Sequence, residues 1–276
     1  MLGAIIGDLA GSLYEYDEFK SEKKNLDRRL EVLSKDNLIE KDSFYSDDTI
    51  LTIAVLDAIL NGKDYEGYLK RYGLKYYNNE PDTSANHFKY MFSPDFIRWC
   101  KGKIDGNSMG NGALMRVSPV GYLFDDVETI YSETKKATIP SHDSALAVVT
   151  AEALNNLIYL GRKGYKKDEV MMKFYPIHRP LDKIRLYNTF DGSCLVFENC
   201  LAAFFESNSF EDAVRKAVSL GGDTDTIGAI TGSIAEAYYG VPDDLKQQAL
   251  SKLPDDFILK LEEGYQKVRK LWYNCL

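Results

Sequence analysis

Residues 144–161 read SALAVVTAEALNNLIYLG. The stretch contains no proline and one glycine, at its end. Its apolar residues recur through Leu146, Val149, Ala153, Leu157 and Leu160, at intervals of three and four. That spacing lines one face of a helix, and the strict alternation of a half-buried strand is absent. Gly161 stands where a C-terminal cap glycine is expected. The same rule extends in both directions along the chain. Thr49–Leu60 is almost entirely apolar, interrupted by Thr52 and Asp57, as in a helix buried on most sides. Cys194–Phe205, Phe210–Leu220, Ile227–Tyr239 and Phe257–Trp272 carry helical spacing as well. Val241-Pro242 closes the third of these, because proline cannot continue a helix. With no succession of alternating strands, the sequence predicts an all-α fold.

Two stretches read as irregular. Asp17–Ser43 is rich in charge and poor in periodic apolar positions, and Lys101–Asn111 carries Gly102, Gly106 and Gly110. Neither reads as an interdomain linker, and there is no fixed-period repeat or low-complexity tract. Residues 1–276 are therefore expected to form a single domain. The composition is that of an ordinary globular protein, 45% hydrophobic and 28% charged. With 42 acidic against 34 basic side chains, the formal charge is −8. That field disfavours nucleic-acid binding and favours divalent cations. The four cysteines (Cys100, Cys194, Cys200, Cys275) form no CxxC pair, and no basic flank precedes Met1–Ala10. They read as reduced thiols of a cytoplasmic protein. No apolar run reaches the ~20 residues needed to cross a bilayer, and a monomer is expected.

The chemistry concentrates at helix starts. Tyr45-Ser46-Asp47-Asp48-Thr49 opens the first buried helix, and Gly221-Gly222-Asp223-Thr224-Asp225-Thr226 opens another far away in sequence. Taken singly, either cluster reads as a helix cap, since Ser, Asp and Thr accept from the first turn and carboxylates favour the positive end of the dipole. Together they exceed that need. A cap uses one acceptor, and each cluster brings two carboxylates plus hydroxyls into strongly apolar surroundings, where unpaired charge is costly. A divalent cation resolves the cost. Carboxylate and hydroxyl oxygens suit magnesium or manganese, whereas three scattered histidines argue against zinc. Four carboxylates exceed what one magnesium usually takes, so two ions fit better than one. The Gly221-Gly222 pair permits a tight turn ahead of the ligands.

Three further segments stand out. Within Gly3–Ser12, whose small residues suit close helix packing, Asp8 is an acid among apolar neighbours, and Glu15 follows shortly after. Ser108-Met109-Gly110-Asn111-Gly112-Ala113-Leu114-Met115-Arg116 is a glycine loop before a helix, able to offer backbone N–H groups to phosphate, though without P-loop spacing. Arg116 suits a phosphate or a structural carboxylate equally. Pro140-Ser141-His142-Asp143-Ser144 places a histidine at a helix start, with Ser141 or Asp143 as the natural cap.

In order, these pieces resemble the ADP-ribosylglycohydrolase family, which includes dinitrogenase-reductase-activating glycohydrolases. The matching segments are GAIIGDLAGSLYE (Gly3–Glu15), FYSDDT (Phe44–Thr49), GNGALMR (Gly110–Arg116) and SLGGDTDTIGAITGSIAEAYYG (Ser219–Gly240), with SFEDAVRKAV (Ser209–Val218) preceding the last. The pairing of SDDT with GGDTDT is the specific part. The resemblance implies a compact orthogonal multi-helix bundle with a binuclear magnesium or manganese centre. By match to the two metal motifs, Ser46, Asp47, Asp48, Asp223, Asp225 and Thr226 are the implied ligands, with Glu15, Asp47 and Asp223 as the implied catalytic groups. Asp8, Ser108, Gly110, Asn111, Gly112, Arg116 and His142 are expected at the substrate. The implied reaction is hydrolysis of the glycosidic bond between ADP-ribose and an acceptor, either a mono-ADP-ribosylated side chain or a small ADP-ribosyl compound. A nucleotide phosphohydrolase and a non-catalytic ADP-ribose-binding protein are the rivals. One departure concerns a Ser-Gly-Tyr-like segment of many relatives, which is Gly192-Ser193-Cys194-Leu195 here.

Overall fold

The computed structural model describes residues 1–15, 30–77, 91–175, 179–187 and 191–273. The first part of the charged Asp17–Ser43 stretch (residues 17–29) and Cys275 lie outside the described residues. Every named element is a helix: α1 Leu2–Gly11, α2 Asp47–Leu60, α3 Tyr65–Tyr76, α4 Pro94–Cys100, α5 Ser118–Leu123, α6 Val127–Thr138, α7 Ala145–Arg162, α8 Lys167–Phe174, α9 Leu181–Tyr187, α10 Phe197–Phe205, α11 Phe210–Val218, α12 Thr224–Tyr239, α13 Asp243–Leu250 and α14 Asp255–Tyr273. Short 3-10 turns lie at Asn111–Ala113 and Cys194–Val196. The only extended pairing among the described residues is two isolated bridges, Asn107 with His142 and Gly110 with Ser193.

The centre of the fold is the α1–α12 pair. All ten residues of α1 are buried, because α1 packs against α2, α11, α12 and α13. The pair runs antiparallel at backbone contact: a Cβ on Gly3, Gly7 or Gly11 would fall 2.3 Å from Gly232 O, 1.9 Å from Gly228 O and 2.2 Å from Thr224 O respectively. Any side chain at Gly7 would separate the two helices. The Thr224 hydroxyl donates to Gly11 O (2.8 Å) and ties the junction. Antiparallel packing brings the last turn of α1, with Glu15 just beyond it, to the first turn of α12, which carries Asp225.

α2 is buried from Asp48 to Ile59, packed against α1, α3, α5 and α14. α7 departs from the expected face. Its buried residues are Ala147, Ala151, Leu154, Asn155, Leu157, Ile158 and Leu160, while Leu146 and Val149 are exposed. The small Ala147 and Ala151 mark the inner face. The cap of α7 is Ser144, whose hydroxyl accepts from Ala147 N–H, rather than Ser141 or Asp143. Gly161 is inside the helix, where a Cβ would come within 2.6 Å of the Tyr238 ring; the left-handed glycine after the helix is Gly164. Cys194–Phe205 divides into a 3-10 turn and α10.

Candidate active site

α1 positions both acidic clusters. Asp8, wholly buried, accepts from the Ser46 and Thr49 backbone N–H groups and from the Thr49 hydroxyl. It thus satisfies the first-turn donors of α2 from outside that helix. Ser46 is the N-cap proper, its hydroxyl accepting from Asp48 N–H at 3.1 Å. With capping done by Asp8 and Ser46, the Asp47 and Asp48 carboxylates are left for other use. The second cluster follows the same logic. Gly221 and Gly222 are both left-handed (φ 70° and 81°), a turn that L side chains resist. Asp223 takes the N-cap position of α12, yet its side chain makes no capping bond. It accepts instead from Asn111 Nδ2 at 2.7 Å.

The clusters meet in a cleft of about 610 Å³ lined by Glu15, Ser46, Asp47, Asp48, Ser108, Gly110, Asn111, Gly112, Arg116, Ser141, His142, Asp223, Asp225 and Thr226. Its volume falls within the ~300–1,000 Å³ usual for small-molecule sites. Carboxylate oxygens of Glu15, Asp223 and Asp225 lie within 4.8 Å of one another. Asp48 Oδ2 accepts from the Ser46 and Thr226 hydroxyls, each at 3.3 Å, while Asp48 Oδ1 is buried with no hydrogen-bond partner. Burial first, and then the Asp225 charge, raises the carboxyl pKa of Asp47, Asp48 and Asp223 well above the ordinary carboxylate range. The same two causes bring Asp8 to about 7 despite its hydrogen bonds. Clustered carboxylates of this kind need protons or cations. The orphaned Asp48 oxygen and the all-oxygen donor set fit a hard divalent cation.

Other expected site residues divide. Ser108, Gly110, Asn111, Gly112 and His142 line the cleft, but two backbone donors of the glycine loop are already used within the protein. Gly110 N–H donates to Ser108 Oγ (3.1 Å) and Asn111 N–H to Gly192 O (2.7 Å). The Gly192–Leu195 departure is a brace for this loop: Ser193 pairs with Gly110, and the Cys194 thiol donates to Gly110 O. Asp8 does not line the cleft; its oxygens are directed at the start of α2. Arg116 forms the cleft floor with no exposed surface, its Nη2 donating to Ser141 Oγ (2.6 Å) and Ala137 O (3.4 Å). Burial lowers its pKa to about 10. The cleft also has an apolar lining of Leu51, Met91, Phe92, Phe96, Trp99 and Ile104, none of them among the expected site residues. Phe92 stacks on Phe96 at 5.4 Å, and Phe96 meets Trp99 at 5.6 Å. Phe96 and Trp99, three residues apart in α4, were the sequence signal for an aromatic helix face, while Phe92 joins it from just before the helix.

A family model described as ADP-ribosylglycohydrolase matches residues 1–274. The chain belongs to the ADP-ribosylglycohydrolase family. Among the relatives of this family, it is 22% identical to ADP-ribosylhydrolase ARH3 of Xenopus tropicalis, over 87% of this chain and 86% of that protein. It is 24% identical to ADP-ribosylarginine hydrolase Tri1 of Pseudomonas putida (strain GB-1), over 98% of this chain and 75% of that protein. A solved structure titled ADP-ribosylglycohydrolase-related protein complex superposes with a TM-score of 0.63 at 22% identity, covering 97% of this chain and 93% of its own. That likeness shows the family fold. No helix among the described residues is long and apolar enough to cross a membrane.

Proposed function

We propose that the chain hydrolyses the glycosidic bond between ADP-ribose and an acceptor, using two magnesium or manganese ions held by Ser46, Asp47, Asp48, Asp223, Asp225 and Thr226. The observation that carries this reading is the convergence of Glu15, Asp223 and Asp225 oxygens within 4.8 Å inside the cleft. When bound, the cations supply charge neutralisation, Lewis acidity toward ribose hydroxyls and a lowered pKa for water at the site. The residues do the rest. Asp223, oriented by the Asn111 amide, or Glu15, at the mouth of the first α12 turn, takes and returns the proton of the attacking water, as general acid–base work at an oxocarbenium-like centre requires. Asp47 completes the acidic rim. The apolar wall from Met91 to Ile104 limits water around the reacting centre, and His142, whose Nε2 edge faces the Gly110–Gly112 loop, receives the anionic diphosphate. One relative is an ADP-ribosylarginine hydrolase and another an ADP-ribosylhydrolase, which supports a modified side chain or a small ADP-ribosyl compound as the acceptor.

Asp225→Ala tests the assignment. Hydrolysis is expected to disappear and metal binding to weaken, while far-ultraviolet circular dichroism keeps its helical form. Full activity in that variant would remove the metal assignment.

A further inference from the structure

Arg116, Ser141 and His142 form a hydrogen-bond chain whose direction is forced. A guanidinium has donors only, so Ser141 Oγ accepts from Arg116 Nη2 (2.6 Å). The single Ser141 hydroxyl proton then needs an acceptor. The polar atom that meets it is His142 Nδ1, at 2.8 Å, and no other acceptor meets it among the described residues. Nδ1 is therefore the unprotonated nitrogen, and a neutral imidazole carries its proton on Nε2. The opposite tautomer would aim two N–H groups at Ser141 Oγ and leave the hydroxyl proton unpaired in a buried site. The doubly protonated ring is opposed as well, since burial first and the Arg116 charge second lower His142 to about 3.

The ring is also held in direction. His142 N–H donates to Thr138 O (3.0 Å), and the flanking Asp143 N–H donates to Gly106 O (2.8 Å). The Nε2 edge faces the glycine loop: a Cβ on Gly112 would lie 3.2 Å from Nε2, and one on Gly110 3.9 Å. Nε2 makes no hydrogen bond to the described residues, and His142 lines the cleft.

We propose that Arg116 is a positioning residue rather than a phosphate ligand: through Ser141 it locks His142 in the Nε2–H tautomer, presenting a fixed neutral donor to a diphosphate oxygen over the Gly110–Gly112 loop. The diphosphate half of this statement rests on the ADP-ribosyl reading of the cleft; the tautomer half does not. The Arg116 side chain has no exposed surface, and its hydrogen-bonded route toward the ligand runs through Ser141 to His142.

Nitrogen-15 NMR of the magnesium-loaded, histidine-labelled protein tests the lock. The chain has three histidines, His87, His142 and His178, so a His142→Asn variant assigns the signal. The expected result is Nδ1 in the unprotonated range and Nε2 in the protonated range. A protonated Nδ1, or averaged shifts for the two nitrogens, overturns the proposal. Ser141→Ala should let the tautomers mix and weaken ADP-ribose binding, read by calorimetry, about two- to tenfold as the competent fraction drops to roughly a half to a tenth. Ser141→Thr, which keeps the hydroxyl, should restore both readouts. An unchanged tautomer and affinity in Ser141→Ala overturns the lock. A locked Nε2–H signal that ADP-ribose leaves unmoved supports the lock and overturns the diphosphate reading instead.

Discussion

Gly7→Ala is the substitution by which the α1–α12 contact is most sharply judged. The new Cβ would fall 1.9 Å from Gly228 O, 2.2 Å from Gly228 C and 2.6 Å from Ala229 N, all backbone atoms. No rotamer change relieves such a clash, so the helices must part by about 1.1 Å to bring the first contact to 3.0 Å. Overpacking costs about 1–3 kcal/mol even where side chains can yield, and backbone-on-backbone contact places this case at the upper end. The better helix propensity of alanine returns about 1 kcal/mol. A net loss of about 2 kcal/mol remains, which lowers Tm by roughly 4–8 °C in a chain of this size. The functional cost is larger. A movement near 1 Å at the end of α1 far exceeds the ~0.2 Å tolerance of metal–ligand distances. Magnesium affinity is expected to fall about 10- to 100-fold, as when partners that orient metal ligands are lost. Gly264→Ala is the control: its Cβ would meet the Leu56 methyl group at 2.9 Å, the free end of a side chain, so Tm should stay within a few degrees of wild type. Calorimetric melting and magnesium titration of both variants read the result. Wild-type melting and wild-type metal affinity in Gly7→Ala would refute the reasoning.

Other predictions concern the charges of the cleft. Asp48→Asn removes the carboxylate with an unpartnered buried oxygen; melting scans should show higher stability in EDTA and a smaller rise on adding magnesium, and an unchanged magnesium rise would contradict the assignment. In EDTA, stability should decline as pH increases. Asp47, Asp48 and Asp223 have raised native pKa values and Asp8 reaches about 7, so the native state holds more protons than the unfolded chain above pH ~4, and the slope of unfolding free energy is negative. The penalty is absent below the unfolded pKa and complete above the native values; urea titrations from pH 4 to 8 would show it, and saturating magnesium should flatten it. Glu15→Gln should lower kcat more than it raises KM, read by steady-state kinetics; an unchanged kcat would make Glu15 a bystander.

Much of this was legible in the sequence because helix periodicity and helix-start chemistry are local. The apolar run of Thr49–Leu60 became a helix buried along nearly its whole length, and SDDT and GGDTDT came to rest at two helix N-termini facing one cleft. What stayed hidden depends on partners distant in sequence. Asp8 read as a substrate residue, but its acceptors are used by Ser46 and Thr49, 38 and 41 residues away. Arg116 read equally as a phosphate or a carboxylate partner; its hydrogen bonds among the described residues go to Ser141 and Ala137, 25 and 21 residues away. For α7, Leu157 and Leu160 are buried as expected, but the larger Leu146 and Val149 turned the expected face away from Ala147 and Ala151, which mark the closer approach. Gly161 matched a cap pattern and instead clears space for the Tyr238 ring. Periodicity finds a helix; it takes the partner helix to say which face is inside.

The most direct test of the central claim is mass spectrometry of the products formed from mono-ADP-ribosylated arginine and serine peptides and from small ADP-ribosyl compounds, with magnesium and with EDTA. The account predicts magnesium-dependent release of free ADP-ribose from at least one of them, with the acceptor recovered unmodified. Release of AMP or phosphate, or free ADP-ribose appearing equally in EDTA, would contradict it.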